Sequence, residues 1–368
     1  MTAHPPETSE RSDLGWILLG MKGILSPPAL ILTTAFFGFA GLCREAGISW
    51  QEAAFMTATV WALPAKIILL GAITAGTSLP AAAFAVALSS LRMTPMVVAL
   101  MPELRGPKTK VPTLLFLSHF VAITAWVFAM ERMEDVPRDK RALFFGGFAV
   151  TLTAMNTVLV AIVFNLMGQL PALATGALAF LTPVYFFNSL YGSARDVSGR
   201  LALFCGMAAL PPAHWLSPGY EAPRRGHRRR ARRLCRRAAH QGAARRRLMS
   251  DWAYSNVVPW WPYVFILLGG WLPTDMWRYL GVVSASRIDE TGEAAAIART
   301  IATSLVAAVI AQLVFYPSGA LADIPTVVRV AALGAGFTAF QLSRRRILVG
   351  ILAAELVIGG WALVIGLG

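Results

Sequence analysis

The sequence is poor in charge. Only 14% of its 368 residues are Asp, Glu, Lys or Arg, against about 25% in an average soluble domain. Cysteine is scarce too: Cys43, Cys205 and Cys235 give no disulfide framework in so long a chain. No Walker A loop, no dinucleotide-binding glycine pattern after a strand, no metal-ligand spacing and no serine elbow is found. The reading is therefore a protein that is not an enzyme, with no cofactor and no metal. Without an ATP-binding segment, any pumping draws on an ion gradient or on a separate ATPase. Disorder is excluded by a hydrophobic content of 56%.

The net charge of +14 contrasts with this apolar body and, taken alone, suggests nucleic acid or an anionic surface as partner. Its location removes nucleic acid. Twelve arginines lie between Ala222 and Leu248, a stretch that holds no Asp or Glu, and without it the net charge is +2.

Residues 1–13 form a polar tail with no apolar core. Long apolar runs then follow at 24–43, 52–75, 80–101, 112–130, 142–167, 170–190 and 200–216. After the arginines come 259–283, 296–316, 324–341 and 346–367. A bilayer-crossing helix needs about 20 such residues, whereas β-barrel strands need short alternating segments. The fold expected is an all-α polytopic transmembrane bundle of about eleven helices, some of them broken by proline. The divisions expected are a tail (1–13), a large membrane unit (14–221), an arginine-rich linker (222–248) and a small membrane unit (249–368). Short loops carry the remaining charge. An N-terminus inside puts loops 131–141 and 191–200 in the cytoplasm, as the positive-inside rule prefers, but puts 105–110 outside, against it. In the last block, basic residues favour 284–295 and 342–346 inside.

Polar residues within apolar runs are costly and usually pair or face a cavity. Lys66, just after Pro64, has this character. So does Arg92, beside Ser90, whose guanidinium suits a carboxylate. Each is equally a structural ion pair. Glu355 could carry a proton or neutralise Lys66 or Arg92. His119 could titrate near neutral pH, although a histidine hydrogen-bonded between helices is the plainer reading. Asn156, Asn165 and Asn188 read as interhelical hydrogen-bond glue. Pro64 and Thr182-Pro183 interrupt two runs, and broken helices often frame a transporter's substrate site.

Several of these residues carry a resemblance. Gly23-Ile24-Leu25-Ser26-Pro27, Phe37-Gly38-Phe39-Ala40, Gly47-Ile48-Ser49 and Ser90-Leu91-Arg92 resemble the large subunit of branched-chain amino acid exporters (AzlC type), over roughly 15–220. Gly270-Trp271-Leu272-Pro273, Ala302 to Ala308, Pro317-Ser318-Gly319 and the basic loop before the last helix resemble the small subunit (AzlD type), over 249–368. Two positions depart from the family pattern: Ser90 stands where Asn is common, and Lys66 where Gln is common.

The resemblance implies a secondary transporter that exports leucine, isoleucine, valine or methionine by alternating access. It would sit as a multi-pass protein in the bacterial inner membrane, coupled to an ion gradient. The residues expected to bind substrate are Lys66, Ser90, Arg92, Pro64 and Thr182; those expected to carry protons are Glu355 and His119. The partners expected are the amino acid, membrane lipid and the two halves packed together, with room for a homo-oligomer. The competing class is a non-transporting scaffold or sensor whose basic segment recruits an anionic partner.

The arginine stretch has two readings. One is a basic linker touching anionic lipid. The other is translation in a shifted frame. Most arginine codons are CGN, and read one base later they begin GN, which encodes Val, Ala, Gly, Asp or Glu. Pro223 onward then becomes a small, apolar run suited to a packed helix, and the shifted frame reaches a stop over Met249. One slip near Tyr220–Pro223 would account for the arginines, a missing helix and the joining of two subunits.

Overall fold

The computed structural model describes residues 11–107, 109–169, 172–194, 197–216, 259–285, 292–317 and 320–364. The arginine stretch 222–248 and the polar tail up to residue 10 lie outside the described residues. Secondary structure among the described residues is helical throughout.

The large segment carries α1 (Asp13–Lys22), α2 (Pro27–Glu45), α3 (Trp50–Thr59), α4 (Leu63–Thr74), α5 (Leu79–Ser90), α6 (Met93–Leu104), α7 (Val111–His119), α8 (Ile123–Arg132), α9 (Arg141–Met167), α10 (Ala172–Ser193) and α11 (Val197–Leu216). The small segment carries α12 (Trp261–Ile266), a π-helical turn (Leu267–Trp271), α13 (Leu272–Ser284), α14 (Glu293–Phe315), α15 (Ala320–Asp323), α16 (Thr326–Leu342) and α17 (Ile347–Val364). Among the described residues three helices, α2, α9 and α17, are individually long and apolar enough to cross a bilayer, and α5 and α6, bent by 52° at their break, have the length and composition for a fourth when taken together.

Every expected apolar run is helical over its described residues, but three are helix pairs rather than single rods. The α3–α4 break spans Val60, Trp61 and Ala62. Pro64 sits in the first turn of α4, where its missing N–H costs nothing. The α5–α6 break falls at Leu91 and Arg92, and Pro95 cannot donate back to Leu91. The α7–α8 break falls at Phe120, Val121 and Ala122 with no proline near it. Local sequence does not enforce that break; a tertiary bond to the Val121 carbonyl accompanies it. The expectation of a break at Thr182-Pro183 is corrected: α10 runs continuously through Pro183. A proline inside an apolar helix is tolerated when packed neighbours and local adjustments satisfy the freed carbonyl.

Two of the broken pairs turn back instead of crossing. At one end of the bundle, Lys140 hydrogen-bonds Asp13 at 2.7 Å, Arg141 pairs with Glu103, and Gly106 packs against the main chain of Arg138 and Asp139. Bonds to Asp13 and Asp139 raise the Lys140 pKa above the ordinary lysine value. Residues 103–110 and 131–141 therefore share this end. Between them, α7 enters as far as His119 and α8 returns, so 111–132 is a re-entrant hairpin. The expectation that 105–110 lies opposite 131–141 is thus overturned, because the run between them does not cross.

The α3–α4 pair mirrors it from the opposite end. Arg44, at the foot of α2, bonds the Phe164 carbonyl at 3.3 Å near the foot of α9. Phe55 of α3 meets Tyr263 edge to face at 5.1 Å. Deeper in, the Trp61 carbonyl accepts from Arg278, yet Leu69 and Leu79 are back level with Gly269. The chain goes in along α3 and out along α4.

Close helix crossings position these hairpins. Gly38 of α2 abuts Thr182 of α10, and Gly41 abuts Ala179, so the two helices run antiparallel and residue 193 returns to the Lys140 end. Gln341 bonds the Tyr191 hydroxyl at 3.3 Å, which brings Arg344, Arg345 and Arg346 to that end as well. The basic loops of the described residues thus gather at one end of the bundle.

Candidate functional site

The two hairpin turns meet in the middle of the bundle. His119, at the tip of α7, places Nε2 3.3 Å from the Ala58 carbonyl in the last turn of α3. The last carbonyls of a helix have no intrahelical donor and carry the negative end of its dipole. A cation is the natural partner for two helix ends that approach in this way.

That cation comes from the small segment. Pro273 cannot donate a main-chain bond to Gly269, and the helix takes a π-helical turn over Leu267–Trp271 just before it. Gly270 there packs on Val60 and Leu69, and α13 then runs past all three breaks. Arg278 is fully buried. Its Nη2 donates to the Trp61 carbonyl, its Nε to the Val121 carbonyl at 3.1 Å, and its Nη1 to Asp275 Oδ1 at 2.5 Å. The other Asp275 oxygen lies 2.6 Å from His119 Nδ1 and accepts from the Tyr279 hydroxyl at 3.4 Å. Asp275 is 1% exposed. Both His119 nitrogens face oxygen acceptors. A neutral ring can donate to one of them, a protonated ring to both.

Lys66 lies on the other side of Trp61. It is fully buried. Its Nζ sits 4.1 Å from the ring centre of Phe36, 4.8 Å from that of Phe39 and 5.8 Å from that of Trp61. Phe36 and Trp61 stack at 5.7 Å. Cation–π attraction partly offsets the lost hydration, but Nζ has no hydrogen-bond partner among the described residues. The Lys66 head is thus a buried polar group enclosed by three aromatic rings.

The remaining expected residues fall into two groups. Ser90, at the end of α5, donates to Thr274 Oγ1 at 3.3 Å, beside Asp275. Pro64 begins the helix that carries Lys66. Arg92 occupies the α5–α6 break, interacts electrostatically with Tyr185 and keeps its Nε buried without a partner. Thr182 stands apart, its hydroxyl 3.4 Å from the Ala35 carbonyl of α2. Glu355 is on α17 with Oε1 buried and unpartnered, and no ion pair joins it to Lys66 or Arg92 among the described residues. The interhelical role expected for three asparagines is corrected for two. Asn156 and Asn165 donate to carbonyls four residues back in their own helix, and the Asn156 side-chain oxygen is buried without a partner among the described residues. Neither side-chain polar atom of Asn188 has a partner among the described residues.

Sequence reasoning missed Asp275, Arg278 and Trp61. The signal was present for the first two: opposite charges three residues apart inside an apolar run. Nothing local marks Trp61, which gives its carbonyl to Arg278 and its ring to the Lys66 cage.

Residues 27–170 match the family model described as AzlC protein. Residues 263–361 match the one described as branched-chain amino acid transport protein (AzlD). No curated protein matches the chain, and no solved structure does. The Ala58–His119 contact lies within the first matched region, and Asp275 and Arg278 lie within the second.

Proposed function

We propose, from a chain that joins an AzlC-family segment to an AzlD-family segment, that the protein exports leucine, isoleucine, valine and methionine across the bacterial inner membrane. Both families are branched-chain amino acid transport components, and the apolar helices belong to a membrane protein. The observation that carries the reading is the buried centre where both matched segments meet, a place where neither segment alone supplies every partner.

Lys66 receives the substrate carboxylate, and the Phe36, Phe39 and Trp61 rings receive the branched side chain. Arg92 and Ser90 line the path, and Pro64 keeps the α3–α4 turn open. The two hairpins, entering from opposite ends, are the moving parts of alternating access: loosening one opens the centre to one side only. Gathering of the basic loops at the Lys140 end supports that end as cytoplasmic. His119, bonded to Asp275, takes up and releases the coupling proton, with Glu355 as a second carrier.

The test is efflux of radiolabelled amino acids from vesicles holding the full chain, against a panel of side chains, with and without a pH gradient. Gradient-dependent efflux of leucine, isoleucine, valine and methionine is expected. Efflux of none of the panel would leave the scaffold or sensor as the better reading. Unchanged pH dependence in Glu355→Gln removes Glu355 as a carrier.

A further inference from the structure

We infer that Arg278 is a tethered cation occupying the subsite that receives the substrate's α-ammonium group. The inference rests on the transport reading and names the chemistry of one half of that site.

Three acceptors converge on the guanidinium: Asp275 Oδ1, the Val121 carbonyl and the Trp61 carbonyl. All are oxygens, one carries a full negative charge, and two are main-chain groups at helix breaks. A set of this kind binds a cation with several N–H donors pointing in different directions. A guanidinium qualifies, and so does a primary ammonium. A neutral hydroxyl or a carboxylate does not.

The subsite also shares a residue with the Lys66 cage. Trp61 has its carbonyl on Arg278 and its ring beside Lys66 Nζ. Lys66 offers an amine head with no partner among the described residues to a carboxylate, and the Arg278 acceptors offer a negative site to an ammonium. The resting protein fills the negative pole with its own side chain and leaves the positive pole without a partner.

The acceptors give the cation a mechanical consequence. The Trp61 carbonyl belongs to the hairpin from one end and the Val121 carbonyl to the hairpin from the other. While Arg278 holds both, the hairpins are tied and the centre is closed to either side. An arriving ammonium that takes Asp275 releases the guanidinium, whose long flexible stem lets it swing aside. Burying a charge without a partner is strongly unfavourable, so the site passes from one cation to the next, and the displaced guanidinium pairs with the carboxylate of the incoming amino acid. Recognition is then of α-amino acids, not of the corresponding desamino or hydroxy acids.

The experiment measures binding of radiolabelled leucine to the purified full chain, with guanidinium ion at millimolar concentration and 4-methylpentanoate, the desamino analogue of leucine, as competitors. In wild type, leucine binds and neither competitor displaces it. In Arg278→Ala the internal competitor is gone, so leucine binds about tenfold tighter or more, and guanidinium now displaces it. Arg278→Lys keeps the buried charge and so protects folding. It holds fewer acceptors at once, and leucine binds several-fold tighter than in wild type. Leucine binding no tighter than wild type in both variants overturns the inference, as does guanidinium failing to compete in a folded Arg278→Ala. If wild type binds no branched-chain amino acid, the transport reading is the one that fails. The cation subsite is then still decided by whether guanidinium ion raises the melting temperature of Arg278→Ala but not of wild type.

Discussion

His119 and Asp275 stand 2.6 Å apart although 156 residues of chain separate them. The histidine ends the first arm of a hairpin in the AzlC-family segment, and the aspartate lies in the AzlD-family segment. Their contact, with Arg278 beside it, joins the two segments through buried polar groups.

Removing one partner from such a group leaves the other buried and uncompensated. Asp275→Asn strands the Arg278 guanidinium without a counter-charge, and we expect a loss of about 3–5 kcal/mol. His119→Gln retains a hydrogen-bonding side chain and removes no buried full charge that depends on it, so its loss is smaller. Thermal unfolding of the purified full chain reads the order. Asp275→Asn melting at the wild-type temperature would mean that the charges are not coupled to folding.

Lys66→Met keeps the length and apolar stem of the side chain and removes the ammonium. A hydrogen bond to a charged group contributes roughly 1.5–3 kcal/mol, so leucine affinity drops by about 10- to 100-fold. The melting temperature holds or rises, because a buried cation without a hydrogen bond is replaced by an apolar side chain. Affinity equal to wild type would assign Lys66 a structural role only.

Glycine at position 38 lets α2 and α10 approach. A Cβ there would collide with the Thr182 hydroxyl and press on the Leu178 carbonyl, whereas a Cβ at Gly71 meets nothing within 4 Å. Gly38→Ala should cost about 1–3 kcal/mol, with Gly71→Ala neutral or slightly stabilising through helix propensity. Equal melting temperatures for the two variants would disprove the tight crossing.

The re-entrant hairpin makes a topological prediction. In a background with all three cysteines replaced by serine, Arg105→Cys and Arg138→Cys react with a membrane-impermeant maleimide from one and the same side. Ser49→Cys and Gln169→Cys react from the other. Labelling of Arg105→Cys and Arg138→Cys from opposite sides would show that 111–132 crosses the membrane.

The arginine stretch is decided at the level of the gene. Resequencing across codons 215–252 is expected to place residues 223–248 in a shifted frame, with the small segment starting at Met249. A peptide spanning Arg233 to Arg247, recovered from the natural protein by mass spectrometry after cleavage with a protease that spares arginine, would establish the printed frame.

Composition and run length determined a great deal. The small net charge and low share of charged residues outside 222–248, together with apolar runs of membrane-crossing length, pointed to an all-helical membrane protein, since only helices of that length satisfy their own backbone in lipid. Lys66, Arg92, His119 and Glu355 were legible for the same reason: polar atoms are costly in an apolar run wherever they lie. Run length could not distinguish a crossing helix from a hairpin that enters and returns, because both bury about 20 apolar residues. Only the tertiary structure did so, through Gly106 packed against Arg138 and through Trp61 level with Arg278 while Leu69 has retreated to Gly269. It also decided which polar residues meet. Pairing across the bundle depends on helix register and on close glycine crossings, so Asp275 and Arg278 became a site, Thr182 did not join it, and Lys66 was left facing three aromatic rings with no partner for its charge.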